Sequence, residues 1–176
     1  MKYITTACLA IAFLFCCSSC GVTSAALSKT AYINNDVVKL PGERVNDITL
    51  IAVSYKTDKG MYEVISQQLQ AALNKKGISS DMRFYNAEEG PAEISKKIRE
   101  TTKPFYLVID KLYTGTQKDE LNNDMIVNQV NCMLQKNNGE RIADFTVNIT
   151  DDKGATKTGK SVAVAIIDYL SRQNFI

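Results

Sequence analysis

The spacing of apolar positions between residues 48 and 172 changes along the chain, and each change marks a different kind of element. Residues 48–54 (ITLIAVS) form a nearly unbroken apolar run, the pattern of a strand buried on both faces. Over 61–76 the period becomes helical. Met61, Ile65, Leu69, Ala72 and Leu73 fall on one stripe, and Gly77 stands where a helix stop needs a positive φ. Residues 82–85 read as a short second strand. Residues 91–102 read as a second helix, with Pro91 in its first turn and Ile94 and Ile98 turned inward. On its wet face Glu93 with Lys97, and Lys96 with Glu100, stand four apart as ion pairs. Residues 105–113 (FYLVIDKLY) are a third strand, which its place after two β-α units puts parallel beside the first.

From there the period is two. Ile126, Val130, Cys132 and Leu134 share one side of 125–135, and Ala143, Phe145, Val147 and Ile149 alternate in the next run, with Asn138-Gly139 between them. That dipeptide predicts a type I′ hairpin, antiparallel and with one solvated face. Asn128, Asn131, Asp144 and Thr146, with the polar loop 115–124, are the candidate binding surface. Residues 158–172 are a final helix with Val162, Ala165, Ile166, Tyr169 and Leu170 inward. The expected fold is α/β (α+β): one domain over 48–176, with a mixed five-stranded sheet in the order β-α-β-α-β-β-β-α and helices packed on it.

The chain begins differently. Lys2 precedes an apolar run at 4–15, too short to span a bilayer comfortably, and then comes CCSSCG at 16–21. Ser18, Ser19, Cys20 and Gly21 resemble a bacterial lipobox, with Cys17 standing where Leu is usual. The resemblance implies a signal peptide over 1–19, cleavage before Cys20, and acyl chains on Cys20, several of which anchor a protein where one does not. Residues 21–30 carry no acidic cluster, which in groups where acidic residues behind the lipidated cysteine act as a surface-export tag marks a periplasm-facing protein, and the expected address is the outer membrane facing the periplasm. Residues 22–47 show no sustained period and include Leu40, Pro41 and Gly42, so 20–47 reads as a tether.

Composition narrows the chemistry. Of 176 residues 45% are hydrophobic and 23% charged, an ordinary globular balance. Lys and Arg number 21 against 19 Asp and Glu, and only Lys2 lies before Cys20, so the chain from Cys20 onward is close to neutral and offers no electrostatic case for nucleic acid. There is no histidine, which excludes Ser-His-Asp and Cys-His catalysis and the zinc motifs built on His. Four of the five cysteines lie in the first 20 residues; the fifth, Cys132, falls in an apolar alternation and reads as a buried, inert thiol.

The element order, the leader and the phrase KPFYLVIDKLY followed by a hairpin and a terminal helix resemble a periplasmic module. The module it resembles is the amino-terminal domain of the Tol-system translocation protein, also seen in lipoprotein activators of penicillin-binding proteins and in the curli secretion lipoprotein. The resemblance implies a domain that docks envelope proteins or assembles with copies of itself, with no catalytic set, no cofactor and no metal. A ligand-binding lipoprotein that presents a solute to a transporter is the alternative, and it requires a large apolar pocket.

One motif points elsewhere. Residues 154–161 read GATKTGKS, a literal GxxxxGK[ST], in which Lys160 would reach phosphate oxygens and Ser161 would hold Mg²⁺. The strand before it is one arm of a hairpin and only one helix follows, which leaves no nucleotide fold around it; the plainer reading is a loop capping the last helix at Thr158 or Ser161. Glu88 and Glu89 read as acidic residues ahead of a helix start, and Asp151 and Asp152 as turn residues. Tyr106 and Tyr113 read as residues of the sheet.

Overall fold

The computed structural model describes residues 31–118, 122, 124–150 and 153–176, without the side chains of 117–118 and 124–126. Cys20 and the leader, Asp151 and Asp152 lie outside the described residues. The domain is a mixed α/β sheet of six strands with helices on both faces. Its strands and helices are β1 (Ala31–Val38), β2 (Asp47–Ser54), α1 (Lys59–Lys75), β3 (Ser79–Asn86), α2 (Pro91–Arg99), β4 (Phe105–Lys118), β5 (Asp124–Lys136), β6 (Arg141–Ile149) and α3 (Ala155–Arg172). The sheet runs β1-β6-β5-β4-β2-β3.

Strand β2 pairs in parallel with β3 on one side and β4 on the other. Its apolar run is divided between the faces. Ile48, Leu50 and Ala52 join the main core under α1 and α3, while Ile51 and Val53 join a smaller core with Ile94 of α2 and with Tyr106 and Val108 of β4. The amino-terminal ends of the three parallel strands are tied by Lys103, whose ammonium donates to Asp47 and, at 2.9 Å, to Ser79 Oγ. Helix α1 ends as its sequence requires. Gly77 has φ 76°, its N–H donates to Asn74 O, and Ile78 N donates to Leu73 O at 3.0 Å, with both apolar side chains in the core. Helix α3 closes in the same way through Asn174 (φ 58°), and this turn delivers Phe175 into the core, where its carbonyl accepts from Val45 N at 2.8 Å.

Several expectations need correction. The sheet has six strands, because residues 31–38, within the expected tether, form β1 antiparallel to β6. Ala31, Ile33 and Val38 turn to the main core, but an irregularity between Asn34 and Val37 shifts the phase and hides the alternation in the sequence. The hairpin turn is not type I′. Gly139 has φ 89° while Asn138 does not have a positive φ, and Gly139 N donates to Lys136 O at 3.0 Å. That is a type I turn followed by a glycine bulge, matching the register shift at Gln135. Strand β4 runs on to Lys118 and β5 starts at Asp124, so the expected polar loop 115–124 is in large part strand. Lys97 pairs at 2.5 Å with Glu89, in the short 3₁₀ turn before α2, and no ion pair with Glu93 is formed.

Helices α1 and α3 meet at Gly159. A Cβ there would stand 2.8 Å from the Met61 carbonyl oxygen and 3.1 Å from Val64 carbons, so the crossing depends on a bare backbone. The expected stability loss for Gly159→Val is about 2–3 kcal/mol by urea unfolding. Gly60→Ala, where added carbon meets nothing within 4 Å, should leave stability unchanged within about 1 kcal/mol.

Tyr62 and Tyr169 are buried phenols. Tyr62 donates to the Asp110 carbonyl at 2.6 Å, and burial pushes both hydroxyls up, Tyr169 to about 12. A value raised on folding means that the buried, protonated phenol stabilises the fold fully below the ordinary value of 10.0 and less as pH rises toward 12. Stability measured by denaturant should therefore fall through that window, and the slope should be shallower in Tyr169→Phe.

Candidate functional site

The two faces of the sheet are covered unequally. One carries α1 and α3 over its whole width, whereas on the other only the short α2 packs, over Ile51, Val53, Tyr106 and Val108. The β1-β6-β5 half of that second face has no helix on it among the described residues. By register it carries Tyr32 and Asn34 of β1, Asp144, Thr146 and Asn148 of β6, and Gln129, Asn131 and Met133 of β5, of which Asn148 is fully buried and Asn131 is exposed. The alternation that sends Val130, Cys132, Phe145 and Val147 into the main core is what places these residues on the opposite face.

Two bulges sit at one level of this face. In β4, Asp110 and Lys111 together oppose Asn131, because Ile109 pairs with Cys132 and Leu112 with Val130. In β1, Asn35 and Asp36 together oppose Phe145, and Asn35 takes φ 53°, a conformation that Asn tolerates better than most residues. Each bulge bends its strand, and between them the flatter β5 and β6 form the floor of an open depression of about 360 Å³. Val108 and Met133 supply apolar floor, and Asp110, Asn131, Asp144 and Thr146 are among the polar residues that line it. Thr146 donates to Asn131 at 3.0 Å, and Asp144 is held by Lys39 at 2.8 Å and faces Arg141 at 3.6 Å.

The β4 bulge organises a polar triad. Asp110 Oδ1 accepts from the Lys111 N–H at 2.8 Å, its Oδ2 accepts from Tyr113 Oη at 2.7 Å, and Lys111 Nζ donates to the same phenol oxygen at 2.9 Å. Burial, with Asp110 adding to it, pushes the Tyr113 phenol up, and the Tyr113 hydrogen bond raises Lys111. The phenol therefore stays protonated and the ammonium charged at neutral pH, an arrangement that fixes polar contacts and does not poise a proton for transfer.

Three of the four predicted surface residues, Asn131, Asp144 and Thr146, come together here. Asn128 does not. It is two residues from Val130, so it shares the core-facing phase and pairs with Ile149. Tyr106 lies under α2 and donates to Gln135 at 2.8 Å, while Tyr113 belongs to the triad. Sequence reading gave Lys111 and Val37 no role; a two-residue bulge leaves no periodic trace, though the charged pair Asp110-Lys111 inside FYLVIDKLY was a usable signal.

The GATKTGKS segment is helical from Ala155 on. Thr158 and Gly159 are buried, Thr158 N donates to Gly154 O, and Ser161 Oγ donates to Lys157 O at 3.1 Å. The motif forms the first turns of α3 and not the open loop whose amides would wrap phosphates. The helix starts before Thr158, so the expected cap at Thr158 or Ser161 is corrected to Gly154, although Thr158 Oγ1 accepts from Lys153 N at 3.1 Å. Glu88 and Glu89 form the turn before α2, where Asn86 caps Glu88 N. Cys132 is buried and its thiol is pushed up by desolvation. Among the described residues no three His, Cys, Asp or Glu side chains cluster as metal ligands.

No protein-family model matches this chain, and no curated protein matches it. Solved structures do. A PelC dodecamer from Paraburkholderia phytofirmans is similar with TM-score 0.49 and 17% identity over 83% of this chain and 99% of that one. A single-substitution variant of the same dodecamer, in another crystal form, gives TM-score 0.46 and 15% identity over 78% of this chain and 94% of that one. A minor lipoprotein from Acinetobacter baumannii gives TM-score 0.32 and 10% identity over 73% and 89%.

Proposed function

We propose that this chain is a lipid-anchored protein of the cell envelope, held through Cys20 at the periplasmic side of the outer membrane, whose domain docks other envelope proteins and performs no catalysis. The observation that carries the reading is the half-covered sheet. A sheet face that is floored by Val108 and Met133, ringed by hydrogen-bonding side chains and, among the described residues, left without a helix is suited to receive a protein surface. The lipobox-like SSCG supplies the address. The solute-presenting alternative calls for an enclosed apolar pocket, whereas the depression is open-sided with polar side chains at its rim, which favours docking over solute capture.

The test is brief cross-linking of the full-length protein in its own cells, followed by mass spectrometry of the partners and of the amino-terminal peptide. The expected result is an acylated Cys20 and a small set of envelope proteins. Yield should drop about tenfold in Thr146→Arg, a loss of roughly 1.4 kcal/mol, with unchanged thermal unfolding. An unmodified Cys20, or partners indifferent to Thr146→Arg, would refute it.

A further inference from the structure

The other end of the sheet carries a second feature. Strand β3 pairs over all eight of its residues with β2, in register from Ser79 to Asn86, without a bulge or a proline. On its other side it has no strand partner among the described residues, and the Gln70 side chain of α1 donates to Ser80 O at 2.9 Å. The opposite edge, β1, is broken by its bulge, as natural edges commonly are to discourage pairing. The β3 edge lacks that protection.

At the carboxyl ends of β2 and β3 lies an open depression of about 290 Å³. Tyr55 and Phe84 line it, and both are 38% exposed, two of the four large apolar side chains that the described residues leave in water. Lys56 and Lys59 line it too. Lys56 has no carboxylate within 4 Å among the described residues, and Lys59 has only a 3.5 Å contact with the exposed Glu63. The one acidic lining residue, Glu89, is already taken by Lys97.

We infer that the β3 edge is a strand-addition site for an extended segment of a partner protein. The segment pairs with β3, sets an apolar side chain between Tyr55 and Phe84, and places a carboxylate, side-chain or carboxyl-terminal, at Lys56 and Lys59. Backbone pairing supplies affinity without sequence preference, and the depression supplies the selection. This site is separate from the outer-face docking surface and goes beyond it.

The experiment pans the full chain in detergent micelles against two displayed random-peptide libraries, one with free carboxyl termini and one with the random segment embedded between flanks. Enriched peptides are then synthesised and their binding measured by fluorescence anisotropy. Support is enrichment of an apolar residue beside a carboxylate, with about tenfold weaker binding to Phe84→Arg and to Lys56→Glu, and with peptide-induced protection of the 79–86 amides from exchange. The library that enriches distinguishes a terminal carboxylate from an internal one. Both substitutions are at the surface, and unchanged melting checks that they fold. Absence of enrichment, or binders indifferent to both substitutions, overturns the proposal. So does self-association that both substitutions abolish, seen by sedimentation velocity, because it gives the edge to a second copy. Thr146→Arg should leave peptide binding unchanged, so failure of this site and failure of outer-face docking are read separately.

Discussion

The burial of β2 on both faces and along both edges is the constraint on which the rest depends. A strand whose every second side chain is apolar on each side cannot leave either face in water, so both faces need a helix. The two right-handed crossovers provide them, since one connection leads to β3 through α1 on one face and the next returns past β2 to β4 through α2 on the other. This also fixes where the carboxyl ends of the parallel strands open. The antiparallel half has no such requirement. Strands β5 and β6 alternate, so only their inner side chains demand cover, and α3 supplies it.

The consequence is a molecule whose two sides are built differently. Under α1 and α3 the packing is tight enough that a helix crossing needs a glycine, and the largest side chains there are fully enclosed. On the other side the half-sheet that carries no helix among the described residues is shaped by irregularity. Bulges at Asp110-Lys111 and Asn35-Asp36 give up ladder regularity and re-aim side chains at one level. The triad of Asp110, Lys111 and Tyr113 satisfies the polar groups that the β4 bulge turns out.

Most of the domain was legible because its elements are strongly periodic. The apolar run of β2, the stripe on α1 ending at Gly77 and the final helix follow from side-chain spacing, and the parallel placement of β4 follows from its position after two β-α units. What was not legible traces to local breaks of period. Strand β1 reads as AYINNDVV, and the inserted residue moves Val38 into the core and Val37 into water, so neither alternation survives over its length. Asn138-Gly139 signalled a hairpin, but a glycine bulge accommodates the same residues with only one positive φ. GATKTGKS satisfied a motif by letter while its residues, apart from the opening glycine, joined a helix whose inward face needs Thr158, Gly159 and Val162. Asn128 was assigned a face by polarity when its parity with Val130 gave the other.

The burial of Phe175 has a consequence for the order in which the domain comes into being. Its side chain is fully enclosed and its carbonyl holds Val45, just ahead of β2, while β1 at the other end of the described chain completes the sheet only by pairing with β6. First and last segments close the same core, so a growing chain gathers local helices and hairpins but cannot seal its interior until residue 175 is free to move. A domain wired in this way is sealed by its two ends together, so neither can be loosened without opening the interior that the other also closes.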